Sequence, residues 1–110
     1  MSDRLLADAH SLALPHHPLP TADVVAGSPT AAVRTLAALG DVEVGVWEMT
    51  AGTARDTETD EVFVVLSGAG TVEFEDGETI DLGPGTAVRL RAGERTTWTV
   101  TATLRKVWVA

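Results

Sequence analysis

Two short segments in the second half of the chain alternate between polar and apolar residues, the second of them from Thr79 onward. Residues 71–75 read Thr-Val-Glu-Phe-Glu, and residues 78–82 read Glu-Thr-Ile-Asp-Leu. Because successive side chains of a β-strand point to opposite faces, this alternation predicts two strands that each bury one face. The Asp76-Gly77 pair between them is typical of a two-residue hairpin turn. The predicted inward residues are Val72, Phe74, Ile80 and Leu82.

Further segments with strand character follow one another along the chain, separated by turns that contain glycine. The predicted strands are residues 33–36, 42–50, 62–66, 87–90, 97–101 and 104–109, and the predicted turns are residues 67–70, 83–85 and 92–94. Residues 62–66 form an unbroken apolar run, which favours a strand buried on both faces. Many short strands at this spacing are typical of a β-sandwich or a barrel, so the chain is predicted to be all-β.

The N-terminal part of the chain has a different pattern. Residues 2–14 carry a weak helical spacing of apolar positions. Pro15, Pro18 and Pro20 follow, and prolines at this density cannot continue a helix. We therefore expect an N-terminal arm over residues 1–23. The rest of the chain, residues 24–110, is expected to form one barrel domain, because 110 residues suit a single domain.

Composition and charge exclude several classes of function. The chain has no cysteine, which excludes disulfides, thiolate metal sites and thiol nucleophiles. Its net charge of −8 argues against nucleic acid and anionic membranes as partners. No apolar run approaches the roughly 20 residues that span a bilayer, and the N-terminal segment lacks the pattern of a signal peptide. The expected location is therefore the cytoplasm.

The charges are distributed unevenly along the chain. Residues 41–81 contain twelve carboxylates and a single base, Arg55, whereas residues 82–110 contain five bases and a single acid, Glu94. A closed sheet can bring these two segments together, and opposite charges on adjacent strands stabilise by about 0.2–1 kcal/mol per pair. The alternative is that the charges cover solvated outer faces of the strands.

A spaced set of glycines and one glutamate carries a family resemblance. The stretch Glu61-Val-Phe-Val-Val-Leu-Ser-Gly68 is followed by Gly85 and then by Gly93. This spacing resembles the two motifs of the cupin superfamily, and it implies a double-stranded β-helix, or jelly-roll barrel. Within this superfamily, the chain resembles the branch of small cupins that are related to the barrel domains of (S)-ureidoglycine aminohydrolase. The features that carry this similarity are Trp47-Glu48, Thr97-Trp98 and Arg105-Lys106.

The resemblance also identifies where a cupin would hold a metal ion. It implies that Glu61 takes the position of the glutamate ligand, and that Arg55, Thr57 and Thr96 take the positions of the three histidine ligands. The three histidines of the chain all precede the barrel, at residues 10, 16 and 17. One carboxylate among threonines does not hold a divalent transition-metal ion tightly. We therefore expect neither a metal nor another cofactor.

Glu61 is the candidate catalytic residue. It starts an apolar strand, and if it points into the barrel with Phe63 it is desolvated and suited to act as a general acid or base. Glu58 either shares this site or is a solvated loop charge. Asp56 and Asp60 are interpreted as solvated charges at the tip of the loop.

The remaining candidate residues would bind a small molecule. The predicted ligand-binding residues are Trp47, Arg55, Thr57, Glu58, Phe63, Thr96 and Trp98. The aromatic members would line an apolar pocket, although they would also suit a plain hydrophobic core. Arg55 would pair with Glu61 or bind a ligand carboxylate as a planar fork, and the threonines would donate hydrogen bonds. Lys106 on the last strand is a further candidate to face inward.

Three functions remain open from the sequence. The first is a metal-free cupin that binds a small polar metabolite in its barrel. The second is an enzyme that uses Glu61, on a nitrogen-rich compound such as a ureide as the resemblance implies, and the third is a structural or regulatory subunit. A cavity filled by aromatic side chains would favour the third, and an open cavity reached by Glu61 and Arg55 would favour the others. Because a small barrel has edge strands that need cover, we also expect a homodimer.

Overall fold

A computed structural model describes residues 3–110, which contain nine β-strands and no helix. The strands are β1 (His17–Pro18), β2 (Val24–Ala26), β3 (Thr30–Leu39), β4 (Val42–Met49), β5 (Gly52–Thr57), β6 (Glu61–Phe74), β7 (Thr79–Leu82), β8 (Ala87–Leu90) and β9 (Arg95–Val109). The prediction of an all-β chain is confirmed. Within the described residues no helix is long and apolar enough to cross a membrane.

The nine strands form one curled antiparallel sheet around β9. The first half of β9 lies between β5 and the second half of β6, and its second half lies between β4 and the first half of β6. Strand β6 also pairs with β7 and β8. Since β6 and β9 each run through both halves, they fold the sheet onto itself and enclose a core.

The continuity of these two strands differs from the prediction. A turn was expected at residues 67–70, but β6 passes through them with shifts in register, and β9 likewise joins the two strands predicted at 97–101 and 104–109. Gly68 and Gly70 allow the backbone of β6 to approach that of β9 closely, and they do not reverse the chain. A Cβ atom at Gly68 would collide with the carbonyl oxygen of Thr103, and one at Gly70 with that of Thr99. Gly68 also has a φ of 94°, which favours glycine.

The inner face of the sheet follows the predicted alternation. Val72, Phe74 and Leu82 are buried, and Ile80 packs against them. The turn that joins β6 to β7 contains Asp76 and Gly77 but has three residues, 75–77, and not the predicted two, because Phe74 N donates to Glu78 O at 2.8 Å. The prediction that residues 62–66 are buried on both faces is wrong, because Val62 and Val64 remain 43% and 40% exposed on the outer face.

The N-terminal arm packs on the outer face of its own barrel. The predicted helical pattern does not produce a helix over residues 3–14, and Ser2 lies outside the described residues. Instead, the arm is irregular with one turn, in which Leu12 N donates to Asp8 O at 3.0 Å, and Arg105 Nη1 donates to Ala9 O at 3.0 Å and to His10 O at 3.2 Å. Further along, β1 pairs with the start of β3. The arm therefore forms part of the outer layer of the domain.

Ion pairs join the acidic and the basic segments of the chain. Four pairs connect a base of residues 82–110 to an acid of residues 41–81, namely Arg89–Asp60, Arg95–Glu75, Arg105–Glu48 and Lys106–Glu61. The first two are solvent-exposed and contribute little to stability. The last two are largely buried, one under the arm and one inside the barrel.

Candidate functional site

A cavity of about 470 Å³ lies on the inner side of the curled sheet. Its walls come from β3, β4, β5 and β9, and from the loop that connects β5 to β6. The lining residues used below are Asp23, Val33, Trp47, Arg55, Asp56, Thr57, Glu58, Glu61, Trp98, Lys106 and Trp108. The cavity is therefore neither filled nor purely apolar.

Lys106 provides the positive charge at the centre of the barrel. Its side chain is only 6% exposed, and its Nζ atom donates to Glu61 Oε2 at 2.7 Å. Lys106 faces inward because it alternates with Leu104 and Trp108 along β9, and its neighbours across the sheet are Trp47 on β4 and Val65 on β6. A lysine buried to this degree needs such a partner, since an unpaired buried charge is very costly.

Three aromatic rings surround the same ammonium group. The Nζ atom lies 4.2 Å from the ring centroid of Phe63, 4.7 Å from that of Trp47 and 4.8 Å from that of Trp98. These distances suit cation–π attraction, which reaches about 2 kcal/mol in a desolvated site. The Trp98 ring is fixed in turn by a hydrogen bond from its Nε1 atom to Thr96 Oγ1 at 3.0 Å. The carboxylate and the three rings together form an ammonium cage.

Glu61 faces inward, and its side chain is 16% exposed. The hypothesis that Arg55 pairs with it is wrong, because the partner is Lys106 and the Arg55 side chain is exposed. Arg55 lies on the cavity wall and also borders a second, outer cleft of about 710 Å³.

Glu58 is a second inward carboxyl, held by the backbone of its loop. Its N atom donates to Glu94 O at 2.8 Å, and its O atom accepts from Gly93 N at 2.9 Å. The residue is 7% exposed. The pKa of Glu58 is raised to about 8, mainly by burial and then by a hydrogen bond with the Asp56 side chain, while the Lys106 ammonium acts in the opposite direction. Glu58 is therefore protonated at neutral pH.

The predicted site residues divide into two groups. Six of them line the cavity: Trp47, Arg55, Thr57, Glu58, Glu61 and Trp98. Phe63 is fully buried behind the ammonium of Lys106, and Thr96 is buried behind Trp98 and borders the outer cleft. The predicted set therefore occupies one region of the barrel, although two of its members support the lining residues and do not reach the cavity.

Some lining residues were not among the predicted ligand-binding residues. Lys106 was considered only as inward-facing, and its alternation with Leu104 and Trp108 is the signal that places it. Asp56 was interpreted as a solvated charge; it is exposed, and it also lines the cavity wall. Trp108 also lines the cavity, with its ring over Gly45, where a Cβ atom would collide with it. Among the described residues, the Trp108 Nε1 atom is buried without a hydrogen-bond partner.

Comparison with known proteins identifies the family. The chain matches the EutQ-like cupin domain over residues 36–108, well over half of its length. The chain belongs to the EutQ-like cupin family. This cupin has no match among the curated proteins.

Solved structures show the same fold. A protein of unknown function from Rhizobium leguminosarum bv. viciae is 28% identical, with a TM-score of 0.66 over 72% of this chain and 78% of its own. The EutQ protein of Clostridium difficile is 20% identical, with a TM-score of 0.64 over 74% of this chain and 61% of its own. A protein of unknown function from Pseudomonas syringae pv. tomato is 19% identical, with a TM-score of 0.76 over 90% of this chain and 44% of its own.

The inner residues of this cupin do not fit a metal ion. Within residues 3–110 no three histidine, cysteine, aspartate or glutamate side chains are grouped so that they could hold one. Two of the positions that the resemblance assigns to histidine ligands, Arg55 and Thr57, carry exposed side chains. The carboxylate at the glutamate position already accepts a hydrogen bond from the Lys106 ammonium. A cation supplied by the chain itself therefore stands beside Glu61.

Proposed function

We propose that this cupin binds a small polar metabolite in its barrel cavity without a metal ion. The observation that carries the proposal is the meeting of Glu58, Glu61 and Lys106 on one cavity of about 470 Å³ between tryptophan walls. A mostly apolar cavity with a few convergent polar groups is the usual form of a small-molecule site. A structural or regulatory subunit would have no need to keep charged groups beside an open cavity, because burying them is costly.

A metabolite screen with a blocked cavity tests this proposal. Val33 is 55% exposed at the cavity and lies across from Trp47, so Val33→Trp should fill the cavity without disturbing the core. Leu39→Trp is the matched control, because Leu39 lies on the same strand, is 69% exposed and is remote from the cavity lining.

The readout is the thermal unfolding midpoint of each protein with each metabolite. A ligand at 100 times its Kd stabilises by about 2.7 kcal/mol, which raises the midpoint of a domain of this size by roughly 10 °C or more. We expect such a shift in the parent and in Leu39→Trp, and its loss in Val33→Trp. A shift that persists in Val33→Trp would place the ligand elsewhere. A broad panel of polar metabolites without any shift would contradict the proposal.

A second candidate function is catalysis, and one observation favours it. Glu58 is held protonated, whereas Glu61 is paired as a carboxylate with Lys106, and both line the same cavity. Two carboxyl groups with different protonation states in one site can serve as general acid and general base. Following the resemblance to ureidoglycine aminohydrolase, the reaction would be hydrolytic release of ammonia from a ureide, with water as the second reactant.

An ammonia-release assay on ureidoglycine tests the second candidate. The parent should release ammonia, and both Glu61→Gln and Glu58→Gln should lose that activity while Arg89→Gln, on the outer surface, keeps it. Equal rates for the parent, the variants and a protein-free blank would show that these carboxyls do not catalyse this hydrolysis.

A further inference from the structure

The cage around Lys106 shows which chemical group the inner wall of this barrel accepts. It holds an alkylammonium ion, with one carboxylate oxygen at 2.7 Å and three aromatic faces within 5 Å. Aromatic faces combined with a carboxylate form the usual arrangement for binding organic cations, including quaternary ammonium ions. In this protein, a side chain of the chain itself fills that position.

The open cavity beside the cage is also lined by carboxyl groups and aromatic rings, and its carboxyl groups outnumber its cationic side chains. Its lining contains four carboxyl groups, on Asp23, Asp56, Glu58 and Glu61, and two cations, on Arg55 and Lys106. Lys106 forms an ion pair with Glu61, and Arg55 is exposed where the cavity borders the outer cleft. Glu58 and Asp56 also line the cavity, and a hydrogen bond joins their side chains.

The apolar part of the wall is also aromatic. Trp47, Trp98 and Trp108 all line the cavity, and the first two already face the Lys106 ammonium. An anionic ligand would meet Glu61 and Asp56, and would compete with Glu61 for Lys106. A cationic ligand would meet aromatic faces and a carboxyl group that can ionise.

We infer that the metabolite bound in this cavity is an organic ammonium ion, which lies against the tryptophan wall and beside Glu58 and Asp56. The inference rests on the proposed function and specifies its ligand class. The charged groups that face Glu58 are Asp56 on β5, Glu61 on β6 and Lys106 on β9, with Arg55 and Asp23 further along the wall. A bound cation beside Glu58 replaces the proton that this carboxyl otherwise keeps, so binding releases a proton to solvent.

This coupling gives the affinity a defined pH dependence. Burial raises the pKa of Glu58 to about 8 in the unliganded protein, and an adjacent cation lowers it. Below pH 8 a permanently charged ligand must displace a proton, so its affinity should rise up to tenfold per pH unit and level off above pH 8. A neutral ligand of the same shape should show no such dependence.

Titration calorimetry with choline as the probe tests the inference. Choline is charged at every pH, 3,3-dimethylbutan-1-ol is its neutral counterpart of the same shape, and 3,3-dimethylbutanoate is an anion of similar size. We expect choline to bind the parent at least tenfold more tightly at pH 8.5 than at pH 6.5, and more tightly than either of the others. Buffers of different ionisation enthalpy should report a proton released below pH 8.

Two variants assign the effect to the site. Glu58→Gln keeps the shape of the protonated carboxyl and cannot ionise, so choline affinity should become independent of pH and stay near the low value of the parent at pH 6.5. Val33→Trp should abolish binding, and Leu39→Trp should leave it unchanged.

The outcomes separate this inference from the proposed function. Equal binding of the neutral alcohol, tighter binding of the carboxylate, or choline binding that Val33→Trp leaves intact would each overturn the inference. If none of the three probes binds, the ammonium assignment also fails. In each of these cases the proposed function is tested separately, by the metabolite screen with the blocked cavity.

Discussion

Removing one member of the ion pair inside the barrel should strongly destabilise the domain. Lys106→Met keeps most of the apolar stem and removes the ammonium group, which leaves the Glu61 carboxylate inside the barrel without its partner at 2.7 Å. Removing one member of a buried pair typically costs about 3–5 kcal/mol, because the other charge stays buried. The loss of cation–π contacts with three rings adds to this cost. For a domain of this size the midpoint of thermal unfolding should fall by roughly 10–25 °C.

A double-mutant cycle measures this interaction. The free energy of unfolding is obtained by denaturant titration for the parent, Lys106→Met, Glu61→Gln and the double variant. In the double variant no charge is left without a partner, so its cost should lie about 2–3 kcal/mol below the sum of the two single costs. Arg89→Met is the matched control, because the Arg89–Asp60 pair is exposed and its loss should cost less than about 1 kcal/mol.

Two results would refute this reasoning. Single costs that add to within about 0.5 kcal/mol would mean that Lys106 and Glu61 do not stabilise each other. A Lys106→Met variant no less stable than Arg89→Met would mean that the ammonium is solvated, in contrast to its 6% exposure.

Three further predictions concern protonation, metal content and assembly. The pKa of Glu58 is about 8 in the folded state and 4.5 in the unfolded state, so the folded state holds an extra proton between these pH values. The free energy of unfolding should therefore fall by up to about 1.4 kcal/mol per pH unit from pH 5 to pH 8. Denaturant titrations should show this slope in the parent and its loss in Glu58→Gln. Elemental analysis of tag-free protein should find no stoichiometric Mn, Fe, Ni or Zn; a metal that Glu61→Gln removes would contradict the proposal. Light scattering at micromolar concentration should give a dimer mass, lost when Val62 and Val64 on the exposed outer face are both replaced by Lys; a monomeric parent would refute this.

The part of the fold that could be predicted from the sequence is the part that depends on local geometry. Val72, Phe74 and Leu82 were placed inside by alternation alone, because the side-chain period of a strand is fixed. The continuity of β6 was missed because Gly68 and Gly70 look the same in a turn and in a strand that must approach another backbone. Only the position of β9, about 30 residues further along the chain, distinguishes the two cases.

The candidate site likewise has features that follow from local geometry and features that depend on distant strands. Glu61 was placed inside from its alternation with Phe63, which is a local argument. Its partner was assigned to Arg55, the only base in the acidic segment, since sequence distance was the available measure. The real partner lies 45 residues away, and β6 and β9 bring it into contact because they are neighbouring strands. Closeness in a sheet follows strand order, which no local pattern determines.

Glu61 and Lys106 together explain how this barrel keeps a carboxylate inside although the positions that the resemblance assigns to histidine ligands hold Arg55, Thr57 and Thr96. A buried carboxylate needs a cation nearby, and a metal held by histidines would meet that need with an exchangeable ion and open coordination positions. Lys106 meets it with a single charge fixed by two neighbouring strands and three rings. Such a cation donates a hydrogen bond to Glu61 and offers no open coordination position. Two further carboxyl groups of this wall, on Asp56 and the ionisable Glu58, lie outside that ion pair, and the proposed organic cation would bind beside them.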